Sequence, residues 1–130
     1  ASRLAALRDR LEQELCAARP DALIIGRSAP RLPNTSCVVS PGLATATQLM
    51  ALDLAGIAVS SGAACSSGKV APSHVLLAMG LAEPLARCAI RVSLGWSTTA
   101  ADIARFLTVW RPLATGRAPA TLAMARSVTT

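Results

Sequence analysis

Residues 56–69 have the sequence GIAVSSGAACSSGK, in which an apolar run gives way to small residues around one cysteine. The apolar residues 57–59 are typical of the end of a buried strand. The Ser-Ser-Gly sequence at 60–62 then marks a turn. Cys65 follows among alanine, serine and glycine side chains, which are too small to cover a sulfur atom and which let a substrate approach. The stretch therefore predicts a strand that leads into a loop with an accessible thiol.

The composition favours one folded domain without a nucleic-acid partner. The chain has 130 residues, of which 52% are hydrophobic, so we expect a packed core rather than disorder. The formal net charge is +6, yet the arginines are scattered and aromatic residues make up only 2% of the chain. Scattered basic charge without an aromatic stacking surface argues against binding to DNA or RNA.

The cysteines indicate free thiols rather than a metal site. Cys16, Cys37, Cys65 and Cys88 lie far apart and form no CxxC pair, and His74 is the only histidine. This spacing excludes a zinc-ligand pattern, so no metal is expected. The sequence has no secretory signal and no apolar run long enough to span a membrane. We expect a reduced, cytoplasmic protein with no membrane partner.

Hydrophobic periodicity predicts helices and strands in alternation. Helices are predicted over residues 1–18, 44–54, 72–80 and 98–112, and strands over 23–26, 35–40, 57–59 and 89–94. The second helix is expected to present Leu49, Met50, Leu52 and Leu54 as apolar surface. The last helix is expected to be capped by Thr98 or Thr99 and to bury Ile103, Phe106, Leu107 and Trp110. Pro84 predicts a turn. This order of elements predicts an α/β fold, a small sheet with helices packed on it.

The chain is predicted to form one domain over residues 1–113, followed by a mobile tail over residues 114–130. The tail contains Gly116, Pro119 and several threonines and has no clear period, apart from a short helical patch at 122–125. Since the first helix begins without a cap, we expect the chain to be cut from a longer one.

Two residues have the chemistry of a reaction site. Cys65 can form a nucleophilic thiolate, which the nearby Lys69 favours, although most free cysteines are buried packing residues. Arg91 lies in an alternating strand whose residues Ile90 and Val92 face the other way. An arginine placed in this way can bind a carboxylate through two hydrogen bonds. From spacing alone, a solvated or salt-bridged arginine is the more frequent case.

The remaining candidates are assigned structural roles. Cys16, Cys37 and Cys88 each adjoin a predicted helix or strand and are expected to be packing residues. His74 lies at a helix start without a neighbouring carboxylate, which favours capping or packing over catalysis. Asn34 follows a proline and is expected in a turn.

Taken together, the motifs resemble the C-terminal part of NifS-like and IscS-like cysteine desulfurases, members of the class V aminotransferase family. The resemblance covers residues 1–112. It rests on motifs in family-like order: RLPNT at 31–35, the cysteine stretch at 56–68, PSHVL at 72–76, IRVSLG at 90–95 and the threonine pair at 98–99. It implies the small C-terminal α/β domain of the aspartate aminotransferase-like, pyridoxal-phosphate-dependent fold, in a parent enzyme that is a homodimer.

The resemblance also implies a role for each candidate. Cys65 corresponds to the nucleophile that takes sulfur from L-cysteine, carries it as a persulfide and leaves L-alanine. Arg91 corresponds to the arginine that grips the substrate carboxylate, which reverses the interpretation from spacing alone. The length of residues 60–72 matches the longer, mobile cysteine loop of the family. That loop passes sulfur to an acceptor protein such as an iron–sulfur scaffold.

The departures from the family pattern are as informative as the matches. The family's cofactor lysine and the residues that hold the pyridine ring lie in a large N-terminal domain, which this sequence lacks. Lys69 does not match the lysine motif, and Ala63 and Ala71 replace residues that are common in the family. We therefore expect a fragment that binds no pyridoxal phosphate alone and is inactive without that domain. A stand-alone persulfide carrier or protein-interaction module, or an inactive remnant, are the alternatives.

Overall fold

The computed structural model describes residues 2–26, 33–54, 56–61, 65–66, 69–70 and 74–116. The helices are α1 (Ser2–Ala18), α2 (Thr45–Ala51), α3 (His74–Ala78), α4 (Glu83–Ala86) and α5 (Ala100–Ala114). The strands are β1 (Leu23–Ile25), β2 (Thr35–Val39), β3 (Ile57–Ser60), β4 (Cys65–Ser66), β5 (Lys69–Val70) and β6 (Ala89–Leu94). The predicted order of elements is confirmed, and β4, β5 and α4 are additions to it.

Four strands form one antiparallel sheet in the order β1-β2-β6-β3. Strand β6 lies inside this sheet, paired with β2 on one side and with β3 on the other. Ile90, Val92 and Leu94 of β6 are buried, whereas Arg91 is exposed. Since successive side chains of a strand point to opposite faces, β6 directs its apolar residues into the main core and Arg91 to the second face.

Helices α1 and α5 pack on the core face of the sheet. Leu11 and Leu15 of α1 are fully buried, as the leucine spacing of this helix predicts. The predicted inner stripe of α5 is confirmed, and Leu113 extends it; the buried residues are Ile103, Phe106, Leu107, Trp110 and Leu113. Thr99 is the cap residue of this helix, in a capping box with Asp102. The apolar side chains of these two helices therefore form the main core with β6.

The predicted apolar face of α2 is wrong at Met50, which is 88% exposed. The helix ends at Ala51 rather than at residue 54, and its buried side chains are Thr45 and Gln48. Both are buried without penalty because they form hydrogen bonds: the Thr45 hydroxyl donates to the Ala89 carbonyl at 2.6 Å. Hydrophobic periodicity cannot detect an interior position of this kind, since it counts only apolar residues.

On the second face, α3 and α4 cover one end of the sheet. Leu76 and Ala86 of these helices pack against Val39 and Ala89 of the sheet in a smaller apolar cluster. Helix α4 occupies the position where the sequence predicted only a turn. Pro84 lies in its first turn, where a missing N–H costs nothing. Arg91 lies on this same face, next to the covered end.

The predicted tail lies largely beyond the described part of the chain. Helix α5 ends at Ala114, and residues 117–130, with the predicted helical patch, are outside the described residues. The domain boundary at residue 113 stays a prediction. In the ranges that the structure describes, no helix has both the length and the apolar character needed to cross a membrane.

Candidate active site

A row of four residues crosses the sheet on the face that carries Arg91. The strand register pairs Ile25 with Cys37, Cys37 with Arg91, and Arg91 with Ser60. Opposed residues of antiparallel strands lie about 5 Å apart with their side chains on the same face. Arg91 is therefore flanked by Cys37 on β2 and by Ser60 at the end of β3.

Arg91 lines a cavity of about 220 Å³ between this row and helix α3. The other lining residues are Ile25, Thr35, Cys37, Ser61, Val75, Leu76 and Met79. Most of these side chains are apolar. The cavity is smaller than the roughly 300–1,000 Å³ of sites for drug-sized ligands, so it suits a ligand of amino-acid size.

The guanidinium of Arg91 has no acidic partner among the described residues. By contrast, each of five other arginines forms an ion pair with an aspartate or glutamate; these are Arg8, Arg19, Arg87, Arg105 and Arg111. A cation on an apolar wall without a counter-charge favours an anionic ligand, and a planar guanidinium matches a carboxylate. The electrostatics of the cavity therefore point to a carboxylate ligand.

Cys37 was predicted to be a packing residue, and it also lines the cavity beside Arg91. Burial raises the pKa of the Cys37 thiol, while the positive charge of Arg91 acts more weakly in the opposite direction. The thiol is therefore neutral at neutral pH and leaves the charge of Arg91 uncompensated. The alternation of β2 assigns Cys37 to one face of its strand, but only the strand register reveals that this face is shared with Arg91.

Cys65 lies on β4, which pairs with β5 so that Cys65 is opposite Val70 and Ser66 is opposite Lys69. The predicted loop thus contains a short antiparallel pair. Residues 62–64, 67–68 and 71–73 of that loop are outside the described residues, and the exposure of the thiol stays a prediction. Because Cys65 follows Ser60 by five positions, their Cα atoms are at most about 18 Å apart. The chain therefore limits the distance of Cys65 from the strand that flanks Arg91.

Asn34 forms the predicted turn and also fixes the register of the site. Its Nδ2 donates to the Leu94 carbonyl at 3.0 Å, and its own carbonyl accepts from the Leu94 N–H at 2.8 Å. These two bonds hold the start of β2 against the end of β6. Asn34 therefore helps to place Cys37 opposite Arg91.

The other predicted residues lie away from the cavity or are only partly described. Cys88 is buried and Cys16 is half-buried on α1. His74 is the first residue of α3, and its capping or packing role stays a prediction. Within the described ranges, no three histidine, cysteine, aspartate or glutamate residues are arranged to hold a metal ion.

The family profile described as aminotransferase class-V matches residues 1–106. The chain belongs to the class V aminotransferase family. A cysteine desulfurase of Cereibacter sphaeroides is 51% identical to this class V chain over 107 residues, which are 82% of the chain and 28% of that protein. The cysteine desulfurase NifS of Azotobacter vinelandii is 40% identical over 102 residues, 78% of the chain and 25% of that protein. The chain thus spans about a quarter of the length of these relatives.

Solved structures of the family share the fold. The NifS-like protein from Rickettsia africae ESF-5 superposes with a TM-score of 0.68 at 31% identity, over 85% of this chain and 28% of that one. A second NifS-like protein gives a TM-score of 0.62 at 31% identity. The predicted fold class, a small α/β domain of the pyridoxal-phosphate-dependent transferase fold, is confirmed.

Proposed function

We propose that this chain forms the carboxylate-binding and sulfur-accepting part of a cysteine desulfurase. The observation that carries the proposal is the position of Arg91. Arg91, whose guanidinium has no acidic partner among the described residues, lines a small and mostly apolar cavity and is paired with Ser60 in the strand register. Ser60 ends the strand that leads to Cys65. The names of the relatives give the same reaction class.

Arg91 binds the carboxylate of L-cysteine in this proposal. Two parallel hydrogen bonds from one guanidinium satisfy one carboxylate and fix its orientation. Val75 of α3 and Met79, which directly follows that helix, form apolar walls next to this position. Both side chains are more than half exposed, so binding of the carboxylate rests on the paired hydrogen bonds and the charge of Arg91 rather than on exclusion of water. The cavity therefore holds the end of the substrate that does not react.

Cys65 accepts the sulfur. Its thiolate forms a bond to the sulfur of L-cysteine, the carbon–sulfur bond of the substrate breaks, and a proton replaces sulfur on that carbon to give L-alanine. Cys65 then carries a persulfide, which passes its outer sulfur to a thiolate of an acceptor protein such as an iron–sulfur scaffold. The five-residue step from Ser60 to Cys65 limits how far the accepting thiol can lie from Arg91.

The parent reaction uses pyridoxal phosphate, which supplies the electron sink for cleavage of the carbon–sulfur bond. Such a cofactor needs a lysine for its aldehyde and several donors for its phosphate. The described residues around the cavity offer one guanidinium, and the single lysine of the chain, Lys69, lies on β5. These residues do not fit the cofactor on their own.

The proposal includes a homodimeric parent in a reducing, cytoplasmic setting. The free thiols of Cys16, Cys37 and Cys88 favour a reducing compartment. Free cysteines of this kind persist where glutathione and thioredoxin keep thiols reduced, so a redox-sensitive reaction at Cys65 fits the same setting.

Mass spectrometry of the protein as its gene encodes it tests the role of Cys65. After incubation with L-cysteine, we expect the peptide that contains Cys65 to gain one sulfur atom. The Cys65→Ser variant should release no alanine, whereas the matched variant Cys16→Ser should keep the wild-type rate. Full alanine release by Cys65→Ser would contradict the proposal.

A chimera separates this proposal from a stand-alone carrier. The matching segment of the Cereibacter sphaeroides cysteine desulfurase is replaced by this chain, and alanine release from L-cysteine is measured. We expect an active chimera that Cys65→Ser inactivates. An inactive but folded chimera, together with a persulfide on the separate chain after exposure to a sulfur-donor enzyme, would favour the carrier.

A further inference from the structure

Cys37 is the second thiol of the candidate site. It lies opposite Arg91 across the β2–β6 pair and lines the same cavity. Its side chain is half-buried, and Ile25 is its neighbour on the other side of β2. Because the three residues are in one cross-strand row, their side chains share one face of the sheet. Position 37 is therefore the cross-strand neighbour of Arg91, and the charge of Arg91 acts on its thiol.

This position restricts which side chains are compatible with carboxylate binding. A carboxylate at position 37 would lie at cross-strand distance from Arg91 and would form an ion pair with it. A large side chain would occupy part of the cavity of about 220 Å³. Cysteine does neither, because it is small and because burial raises the pKa of its thiol, so that it is uncharged at neutral pH.

We propose that Cys37 is a specificity-determining residue of the Arg91 site. A small, uncharged side chain at this position keeps the guanidinium free and leaves room for one small amino acid with a single carboxylate. The inference rests on the proposed function, since it requires Arg91 to bind the substrate. The proposal assigns sulfur transfer to Cys65, since burial raises the pKa of the Cys37 thiol and so disfavours its nucleophilic thiolate form.

The test compares Cys37→Asp with Cys37→Asn in the protein as its gene encodes it. The two variants have the same shape and differ in charge alone. A nearby opposite charge changes the ionisation constant of a carboxyl group by about 10- to 1,000-fold, which measures how strongly the two charges interact. Because an aspartate at position 37 would compete with the substrate carboxylate for Arg91, it should raise the KM for L-cysteine by about tenfold or more. Cys37→Asn lacks the charge and should raise the KM much less than Cys37→Asp does, so the ratio of the two KM values measures the effect of the charge.

Three outcomes are distinguishable. Equal KM values for Cys37→Asp and Cys37→Asn, while Arg91→Ala raises KM, would overturn this inference and leave the role of Arg91 intact. An unchanged KM in Arg91→Ala would overturn the proposed function itself. A purely structural role of Cys37 would lower the unfolding temperature of both variants alike without separating their KM values, which would also contradict the inference.

A chemical measurement keeps the inference testable if Cys37→Asp does not fold. In the Cys65→Ser variant, alkylation of Cys37 by iodoacetamide is followed by mass spectrometry with and without L-alanine. At about ten times its inhibition constant, L-alanine leaves about a tenth of the sites free and should slow alkylation of Cys37 about tenfold. Alkylation of Cys16 serves as the control and should not change. An unprotected Cys37 would contradict the inference.

Discussion

The carboxylate of Asp102 lies so close to the backbone of Gly56 that a Cβ atom on residue 56 would be 2.7 Å from Oδ2. Gly56 precedes β3, and Asp102 belongs to the capping box at the start of α5. The neighbouring Thr98 accepts a hydrogen bond from the Gly95 N–H at 2.8 Å and donates one to the Gly56 carbonyl. The N-terminus of α5 therefore fixes the start of the strand that leads toward Cys65.

Gly56→Ala should destabilise the chain more than Gly80→Ala. Both glycines have positive φ, +83° and +91°, which costs an alanine about 1–2 kcal/mol. A Cβ atom at Gly80 meets nothing within 4 Å, whereas at Gly56 it would displace Asp102 and disturb the capping box at the start of α5. Urea unfolding of the two variants measures the difference. Equal losses of unfolding free energy would contradict the close approach of Asp102.

Because of Asp102, the free energy of unfolding of the chain should depend on pH in the acidic range. The Thr99 N–H donates to its carboxylate and, as the largest cause, lowers the pKa of Asp102 below its ordinary value of 3.8. Above pH 3.8 the carboxylate is ionised in both the folded and the unfolded state, and its contribution to the free energy of unfolding is complete there. The effect is lost as the pH falls below that value through the pKa of the folded state.

The measurement is denaturant unfolding at a series of pH values for the wild type and Asp102→Asn. The wild type should lose free energy of unfolding more steeply than the variant below pH 3.8. Parallel pH profiles for the two proteins would show that the carboxylate makes no such contribution.

Gln48 and Trp110 should be energetically coupled in the core. The indole N–H of Trp110 donates to Gln48 Oε1 at 3.0 Å, and Gln48 Nε2 donates to the Leu43 carbonyl at 3.0 Å. Gln48→Leu leaves the indole N–H without an acceptor and should cost about 1–3 kcal/mol. The double variant with Trp110→Phe should cost less than the sum of the single variants, by about 0.5–3 kcal/mol.

Urea unfolding of the four proteins in this cycle gives the coupling energy. Thr47→Ala on the exposed side of α2 serves as the control and should change stability by less than about 0.5 kcal/mol. Strict additivity of Gln48→Leu and Trp110→Phe would argue against the hydrogen bond.

Local sequence patterns predicted most of the fold. The leucine spacing of α1, the inner stripe of α5 and the alternation of β6 depend on neighbours within one element, and all three are confirmed. The prediction was wrong at Met50, since α2 buries hydrogen-bonded polar residues instead of apolar ones. A polar side chain can be buried at low cost when it has a hydrogen-bond partner. For Gln48 that partner is Trp110, which is far away in the sequence.

The candidate site was only partly predictable for the same reason. Arg91 was recognised from its strand and from the family motif, but the motif gives no indication of Cys37 as its neighbour. The pairing of Cys37 with Arg91 depends on the register between β2 and β6, which the turn at Asn34 and its bonds to Leu94 help to fix. Register is a long-range property, and one sequence does not specify it.

The KM for L-cysteine in Arg91→Ala, compared with Arg87→Ala, tests the central claim most directly. Arg87 is an exposed arginine that pairs with Glu83 on the surface, so its removal should leave catalysis unchanged. Loss of the hydrogen bonds from Arg91 to the substrate carboxylate should cost about 1.5–3 kcal/mol, a rise in KM of about 10- to 150-fold. If Arg91→Ala and Arg87→Ala both show the wild-type KM, Arg91 does not bind the substrate.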